Sequence, residues 1–179
     1  MFAQKDSNSD YFTRIANSGW YEFLSLILAG AKSISTDLIN GINVVVHCSD
    51  GWDRTSQLCA IAQILLDPYY RTIDGFMVLC EKDWRHFGHK FRERTGQYRP
   101  NYHPHEKSQI FIQFLDCIYQ LMNQFPLSFE YNERILLFLG ENVDSNVYGT
   151  FMTNNIQEAK EVKIESETIS IWSAIEENR

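Results

Sequence analysis

No two of the four cysteines, Cys48, Cys59, Cys80 and Cys117, form a CxxC pair. That spacing argues against a zinc site, and no metal or cofactor is expected. A basic excess is also missing. Sixteen Lys and Arg face 23 Asp and Glu, for a net charge of −7, which weighs against nucleic acid as a partner. The sum does not exclude a small anionic substrate, because the field inside a cleft is local. No apolar run reaches the length of a membrane span, and residues 1–10 are polar where a signal peptide would be apolar. Internal repeats and low-complexity stretches are absent. What remains is a single domain over residues 1–179, 44% hydrophobic and 22% charged, expected in the reducing cytosol where disulfides are rare.

Along the chain, Ser18 followed by Glu22 suggests a helix start, and WYEFLSLILAGAKSISTDLI carries apolar residues at three and four spacing. Asn40-Gly41 stops that helix. INVVVH is short and β-branched and predicts a buried strand. A short loop, CSDGWDRT, leads into SQLCAIAQILL, a buried helix ended by Asp67-Pro68. A further helix is expected from Thr72 to about Phe87, weakened at Gly75. Residues 95–107 carry breakers and predict a loop. QIFIQFLDCIYQLMNQF is an amphipathic helix ended by Pro126, and residues 131–146 predict another. The polar tail from Asn154 to Thr168 is expected to be less ordered, with ISIWSAI docking as a strand or short helix. A lone strand has no ladder partner. Either more strands lie within the helical stretches, or the chain is the later part of a larger α/β domain.

The chemistry concentrates at Cys48-Ser49-Asp50-Gly51-Trp52-Asp53-Arg54-Thr55. A loop of this length can wrap its backbone N–H groups around a phosphate, and the helix behind it points its positive end at the same place. Arg54 can grip two phosphate oxygens through its planar fork. Such a cup favours the Cys48 thiolate, which can attack phosphorus and form a phosphocysteine. Gly51 permits backbone angles that other residues resist. Thr55 is placed to hydrogen-bond the sulfur as it leaves. An acid must protonate the departing alcohol. Asp53 is the first choice, Asp50 the second and Asp83 a more distant one. A cysteine at a strand end is usually a small hydrophobe; the strand–loop–helix setting is what favours chemistry here. Cys59, Cys80 and Cys117 sit in apolar helical runs and suit core packing. His47 is expected to fix the loop by hydrogen bonding. His86, His89, His103 and His105 show no metal-ligand pattern. Lys90 and Arg94, four apart, share a helix face within a stretch from Glu81 to Arg99 that holds six Lys or Arg against three Asp or Glu.

HCSDGWDRT resembles the active-site signature of the myotubularins, inositol-lipid 3-phosphatases of the cysteine-phosphatase superfamily. GWYEFLSLILAGA, LDPYYRTIDGFMVLCEKDWRHFGHKF, IFIQFLDCIYQLMNQFPLSFEYNE, GTFM and ISIWSAI resemble further family segments, so the likeness spans about residues 18–175. It implies an α/β, cysteine-phosphatase-like fold: one catalytic strand, then a P-loop and mostly helices, in a partial domain lacking its N-terminal strands. It implies Cys48 as nucleophile, Arg54 as phosphate grip and Asp53 as in-loop acid. Ser49, Asp50, Gly51 and Trp52 would surround the 3-phosphate with Thr55, while Lys90 and Arg94 would meet the other ring phosphates. Ser108-Gln109 stands where the family usually has Ser-Pro. The implied substrates are phosphatidylinositol 3-phosphate and phosphatidylinositol 3,5-bisphosphate, met peripherally on endosomal or other phosphoinositide-containing membranes. A partial domain would expose a strand edge and apolar surface, which leaves room for self-association or pairing with another myotubularin. The competing readings are a weakly active lipid-binding scaffold and a protein-tyrosine or dual-specificity phosphatase.

Overall fold

Helix follows helix in the computed structural model, which describes residues 8–96 and 106–179. The expected loop between 95 and 107, with Arg99, His103 and His105, lies in large part outside those residues. Helix α1 (Asn8–Asn17) leads into α2 (Trp20–Ile39), and the cysteine-containing loop leads into α3 (Arg54–Leu66). A 3₁₀ turn (Pro68–Arg71) and α4 (Ile73–Cys80) follow, and α4 runs on into a π-helical turn (Glu81–His86). Then come α5 (Phe91–Thr95), α6 (Ile110–Gln124), α7 (Glu133–Asn142), a 3₁₀ turn (Gly149–Phe151), α8 (Ile156–Glu161), α9 (Ile164–Glu167) and α10 (Ile171–Glu177). None of the described helices is long and apolar enough to cross a membrane.

Helix α3 is the axle of the fold. Ser56, Gln57, Ala60, Ile61, Ala62 and Ile64 are buried on it, too many for one stripe, because α2 and α6 cover it from different sides. Gln57 ties its first turn to the start of α6 by donating from Nε2 to the Ile110 carbonyl at 2.9 Å. Trp84 lies at the centre of an aromatic cluster with Phe91, Phe111 and Phe114, at ring separations from 4.9 to 6.3 Å. Each such pair adds about 0.5–1.5 kcal/mol beyond the area it buries. This cluster joins the π turn, α5 and α6 into the wall behind the loop. Gly75 is a packing position and not a weak point: a Cβ there would lie 1.8 Å from the Tyr69 carbonyl oxygen.

Three expectations need correction. The strand over residues 42–47 does not form, and no strand is present among the described residues. A strand exists only as part of a ladder, and between Asn43 and Cys48 no backbone hydrogen bond to another described segment is made. Ile42 and Val45 face solvent there, Val45 at 88% exposure. The tail from Asn154 to Thr168 is largely helical where its polarity predicts less order. Polar composition hides its anchors. Asn155 caps α8 by accepting from the Glu158 N–H at 2.8 Å, Ala159 is buried, and Glu158 pairs with Arg92. At the entry to α2 the chain turns through Gly19, one residue beyond Ser18, although the Ser18 hydroxyl still accepts the Trp20 N–H at 3.2 Å. The helices expected after the loop, around α6 and α7, and at the C-terminus do form. ISIWSAI resolves to the helix α10, capped by Ser170.

Candidate active site

The loop from Cys48 to Asp53 runs along the surface and hands directly into α3, so the helix begins under it. Gly51 turns the chain at φ +86°. A Cβ there would meet nothing within 4 Å, so its backbone conformation, and not lack of space, calls for glycine. The turn points the Gly51 N–H back at the Cys48 sulfur, 3.2 Å away. Burial alone would raise this thiol. The Thr55 hydroxyl and the N–H groups of Gly51, Thr55 and Asp50 outweigh that and lower it from 9.0 to about 6. Thr55 Oγ1 is shut off from solvent and makes no hydrogen bond of ordinary geometry, yet it is near enough to the sulfur to lower the thiol. A thiol of this kind is mostly thiolate at neutral pH, which is the nucleophilic form.

Arg54 is exposed and curls over the same loop, donating from Nη2 to Ser49 Oγ at 2.9 Å. Ser49 in turn lies 3.3 Å from Asp50 Oδ2. Cys48, Ser49, Asp50, Gly51, Arg54 and Thr55 are therefore brought together by local chain geometry. The other three cysteines are not part of this. Burial raises Cys59 and Cys80, and pushes Cys117 up to about 12, so none of the three is favoured as a thiolate. His47 is exposed and makes no hydrogen bond among the described residues, so it does not fix the loop as expected. The surrounding segment lies open to solvent, which leaves its ring to water. Asp83 is also removed from the chemistry. It is buried, accepting from Gln63 Nε2 at 2.5 Å and pairing with Lys82 at 3.1 Å.

Asp53 is held quite differently. Arg94 grips its carboxylate through Nη2 at 2.7 Å and Nε at 3.2 Å. His89 Nδ1 lies 3.1 Å from its other oxygen and 3.0 Å from the Trp52 carbonyl. Both neighbours of that nitrogen are acceptors, so the proton sits on Nδ1. His89 is 1% exposed and packed edge-on against Trp84 and Phe91, with ring centroids 4.8 and 4.7 Å away. Partial burial would raise the Asp53 carboxyl, but the hydrogen bonds and charges of His89 and Arg94 hold it below the usual carboxylate range. His89 is a residue that pattern reading misses, since a lone histidine in an aromatic stretch reads as core. The FGHKF run that contains it is the signal available.

Trp52 carries the two cations expected at the ring phosphates. Lys90 Nζ lies 4.9 Å and the Arg94 guanidinium 4.5 Å from its ring centre. Such contacts add about 0.5–1 kcal/mol each at exposed sites. Neither cation is unpartnered: Lys90 pairs with Glu93 at 3.6 Å, and Arg94 also donates to Glu106. Among the described residues, the other cations of the basic stretch are paired in the same way, Lys82 with Asp83, Arg85 with Glu81 and Arg92 with Glu158. Lys90 and Arg94 differ from these in also lying over the Trp52 ring of the loop. No cluster of His, Cys, Asp or Glu suited to a metal occurs among the described residues.

What these residues build is a loop with a thiol of lowered pKa among backbone N–H groups and two cations over its Trp52 ring. The family model described as the myotubularin-like phosphatase domain matches residues 1–160. The chain belongs to that family. It is 46% identical over 177 residues to the human phosphatidylinositol-3-phosphate phosphatase MTMR7, covering 97% of this chain and 26% of the relative. The mouse protein of the same name is 48% identical over the same extent. The human phosphatidylinositol-3,5-bisphosphate 3-phosphatase MTMR6 is 43% identical over 174 residues, covering 97% of this chain and 28% of the relative. The chain thus spans about a quarter of the length of the curated relatives it matches.

Proposed function

We propose that this chain carries the catalytic loop of an inositol-lipid 3-phosphatase, acting on phosphatidylinositol 3-phosphate and phosphatidylinositol 3,5-bisphosphate. The observation that carries this reading is the Cys48 sulfur, ionised near pH 6 inside a ring of backbone N–H groups at the start of α3. In the first step the thiolate attacks phosphorus. The S–P bond forms, the P–O bond to the inositol ring breaks, and the ring oxygen takes a proton. In the second step water attacks the phosphocysteine and releases inorganic phosphate and the thiolate. Arg54, freed from Ser49, grips the phosphate oxygens; Gly51 and its neighbours supply N–H donors; Thr55 stabilises the sulfur as it leaves. Asp53 gives the proton in the first step and takes one from water in the second, as reversibility requires of a single acid–base group. Its ionised state beside Arg94 suits the second step. The first needs Asp53 to take up a proton before the ring oxygen departs. Asp50, exposed on the loop, is the second choice for this role.

The fold is read as the helical, C-terminal part of a cysteine-phosphatase-like α/β domain, with residues 1–179 within one domain. The helical content and the unpaired extended segment before Cys48 support that reading. Lys90 and Arg94 make the rim suited to a polyanionic headgroup at a membrane surface, with peripheral attachment to phosphoinositide-containing membranes such as endosomes. Pairing with a second family member is the expected assembly, and nucleic acid is not an expected partner.

The test is phosphate release from short-chain phosphatidylinositol 3-phosphate, beside a phosphotyrosine peptide, for wild type and Cys48→Ser. Lipid turnover that Cys48→Ser abolishes supports the reading. Turnover of the peptide alone would point to a protein phosphatase. Lipid binding without turnover in wild type would point to a scaffold.

A further inference from the structure

Arg94 has five N–H donors, and described residues take four of them. Nε and one hydrogen of Nη2 go to Asp53. Both hydrogens of Nη1 go to Glu106, one to its backbone oxygen at 2.7 Å and one to Oε2 at 2.9 Å. One face of the guanidinium is covered by the Trp52 ring. An anion approaching Arg94 from the rim therefore meets Glu106 at the outer edge of the fork.

The two acids are not equally displaceable. The Asp53 side chain is 13% exposed and doubly bonded, and His89 anchors it from behind. The Glu106 side chain is 50% exposed, and its contact with Arg94 is a single hydrogen bond. Leaving for water costs an exposed carboxylate little, since such pairs add little to stability. The Glu106 backbone contact and the Ser108 N–H to the Arg94 carbonyl, at 3.0 Å, can persist when the side chain swings out. A phosphate brings more charge than a carboxylate and up to three acceptor oxygens, so it can replace Oε2 on Nη1.

Resting on the functional reading above, we propose that Glu106 is a specificity-determining residue: its carboxylate occupies the place of a second ring phosphate at Arg94. It handicaps a headgroup with two ring phosphates, which must displace it, relative to one with a single phosphate, which does not reach it. Of two similar relatives, one is named for a monophosphate substrate and the other for a 3,5-bisphosphate.

The test measures binding, so it does not require turnover. Cys48→Ser protein, with and without Glu106→Gln, is titrated with short-chain phosphatidylinositol 3-phosphate and with short-chain phosphatidylinositol 3,5-bisphosphate by calorimetry at low salt. Glu106→Gln is expected to improve the bisphosphate-to-monophosphate affinity ratio by about threefold to fivefold, the scale of one exposed charge pair. On an Arg94→Ala background the same change should leave the ratio unmoved, because the competition is for Arg94. An equal gain for both lipids would mean a general change of field and overturn the proposal. So would an unchanged ratio with both lipids bound. If neither lipid binds either protein, the functional reading itself fails and takes this inference with it.

Discussion

The two ends of one short loop are built by opposite means. At the Cys48 end everything is local: the groups that lower the thiol lie within seven residues of it, and most are backbone N–H. At the Asp53 end everything is remote. The carboxylate is held by His89 and Arg94, which arrive on another part of the chain and are themselves fixed by the Trp84 cluster and by Trp52. Nucleophile chemistry here depends on the turn. Acid–base chemistry depends on the whole helical wall behind it. A change in the core should therefore reach Asp53 before it reaches Cys48.

The sharpest way to break this contrast is at Asp53. Asp53→Asn removes the carboxylate that joins the remote knot to the loop, and should lower kcat by about a hundredfold to ten-thousandfold, the range of a lost general acid–base. Turnover of a short-chain inositol lipid reads this, with Asp50→Asn alongside. Were Asp50→Asn the crippling change and Asp53→Asn mild, the remote knot would be structural and the acid would belong to the local end.

The second largest effect is expected at His89. His89→Leu keeps an apolar shape in the aromatic cage but removes the donor shared by Asp53 and the Trp52 carbonyl. An unpaired buried acceptor costs about 1–3 kcal/mol, so the unfolding midpoint should drop. A purely structural histidine would do no more than that. As a positioning residue it should also move the pH profile. Asp53 is held low by His89 and Arg94; losing one of them raises its pKa, and the acidic limb of the kcat profile that reports Asp53 ionisation moves to higher pH. His89→Asn, which can place an N–H near the same acceptors, should restore part of the shift. An unmoved limb in His89→Leu would count against the coupling.

The same contrast governs what is legible in the sequence. Cys48, Arg54 and Thr55 are legible because their relation is one of spacing along the chain, and spacing is what a sequence displays. Helices α3 and α6 are legible from dense apolar patterning. The stretch over 42–47 misleads because β-branched composition expresses a preference, whereas a strand needs a partner. The helices of the tail escape notice because one capping Asn155 and one buried Ala159 leave almost no apolar period. The Asp53–His89–Arg94 knot is half legible: Asp53 and Arg94 stand out by type and His89 does not, and their meeting depends on how the π turn and α5 pack. The basic stretch suggests a cationic surface, and charge counting cannot show that most of its members are paired.

Reactivity of the thiols tests the local end with a smaller effect. With Cys48 lowered to about 6 and Cys117 pushed up to about 12, alkylation by iodoacetamide at neutral pH should fall on Cys48, with a rate that is half-maximal near pH 6. The sign follows from the lowered pKa: the thiolate is the form present above about pH 6 and is lost as pH falls below it. Peptide mapping after brief labelling checks the site. Dominant labelling of Cys59, or a rate still rising steeply above about pH 8, near the ordinary range of a free thiol, would contradict the cup described for Cys48.

Thr55→Val should give the smallest change and the cleanest one. Its hydroxyl is the leading contact that lowers Cys48, ahead of the three backbone N–H groups. Valine keeps the shape, and the Thr55 N–H survives the substitution. The alkylation midpoint should therefore move up but stay below 9.0, since the backbone donors persist. Because the hydroxyl oxygen is already buried without an ordinary hydrogen bond, its removal should leave the unfolding midpoint level or slightly raised. Turnover should fall more than labelling, as the hydroxyl also serves the departing sulfur in the second step, and phosphocysteine should accumulate. A stopped-flow burst larger than that of wild type would place Thr55 in that step. If the midpoint reached 9.0 in this variant, the backbone N–H groups would be contributing nothing, and the local end would depend on one side chain just as the remote end depends on two.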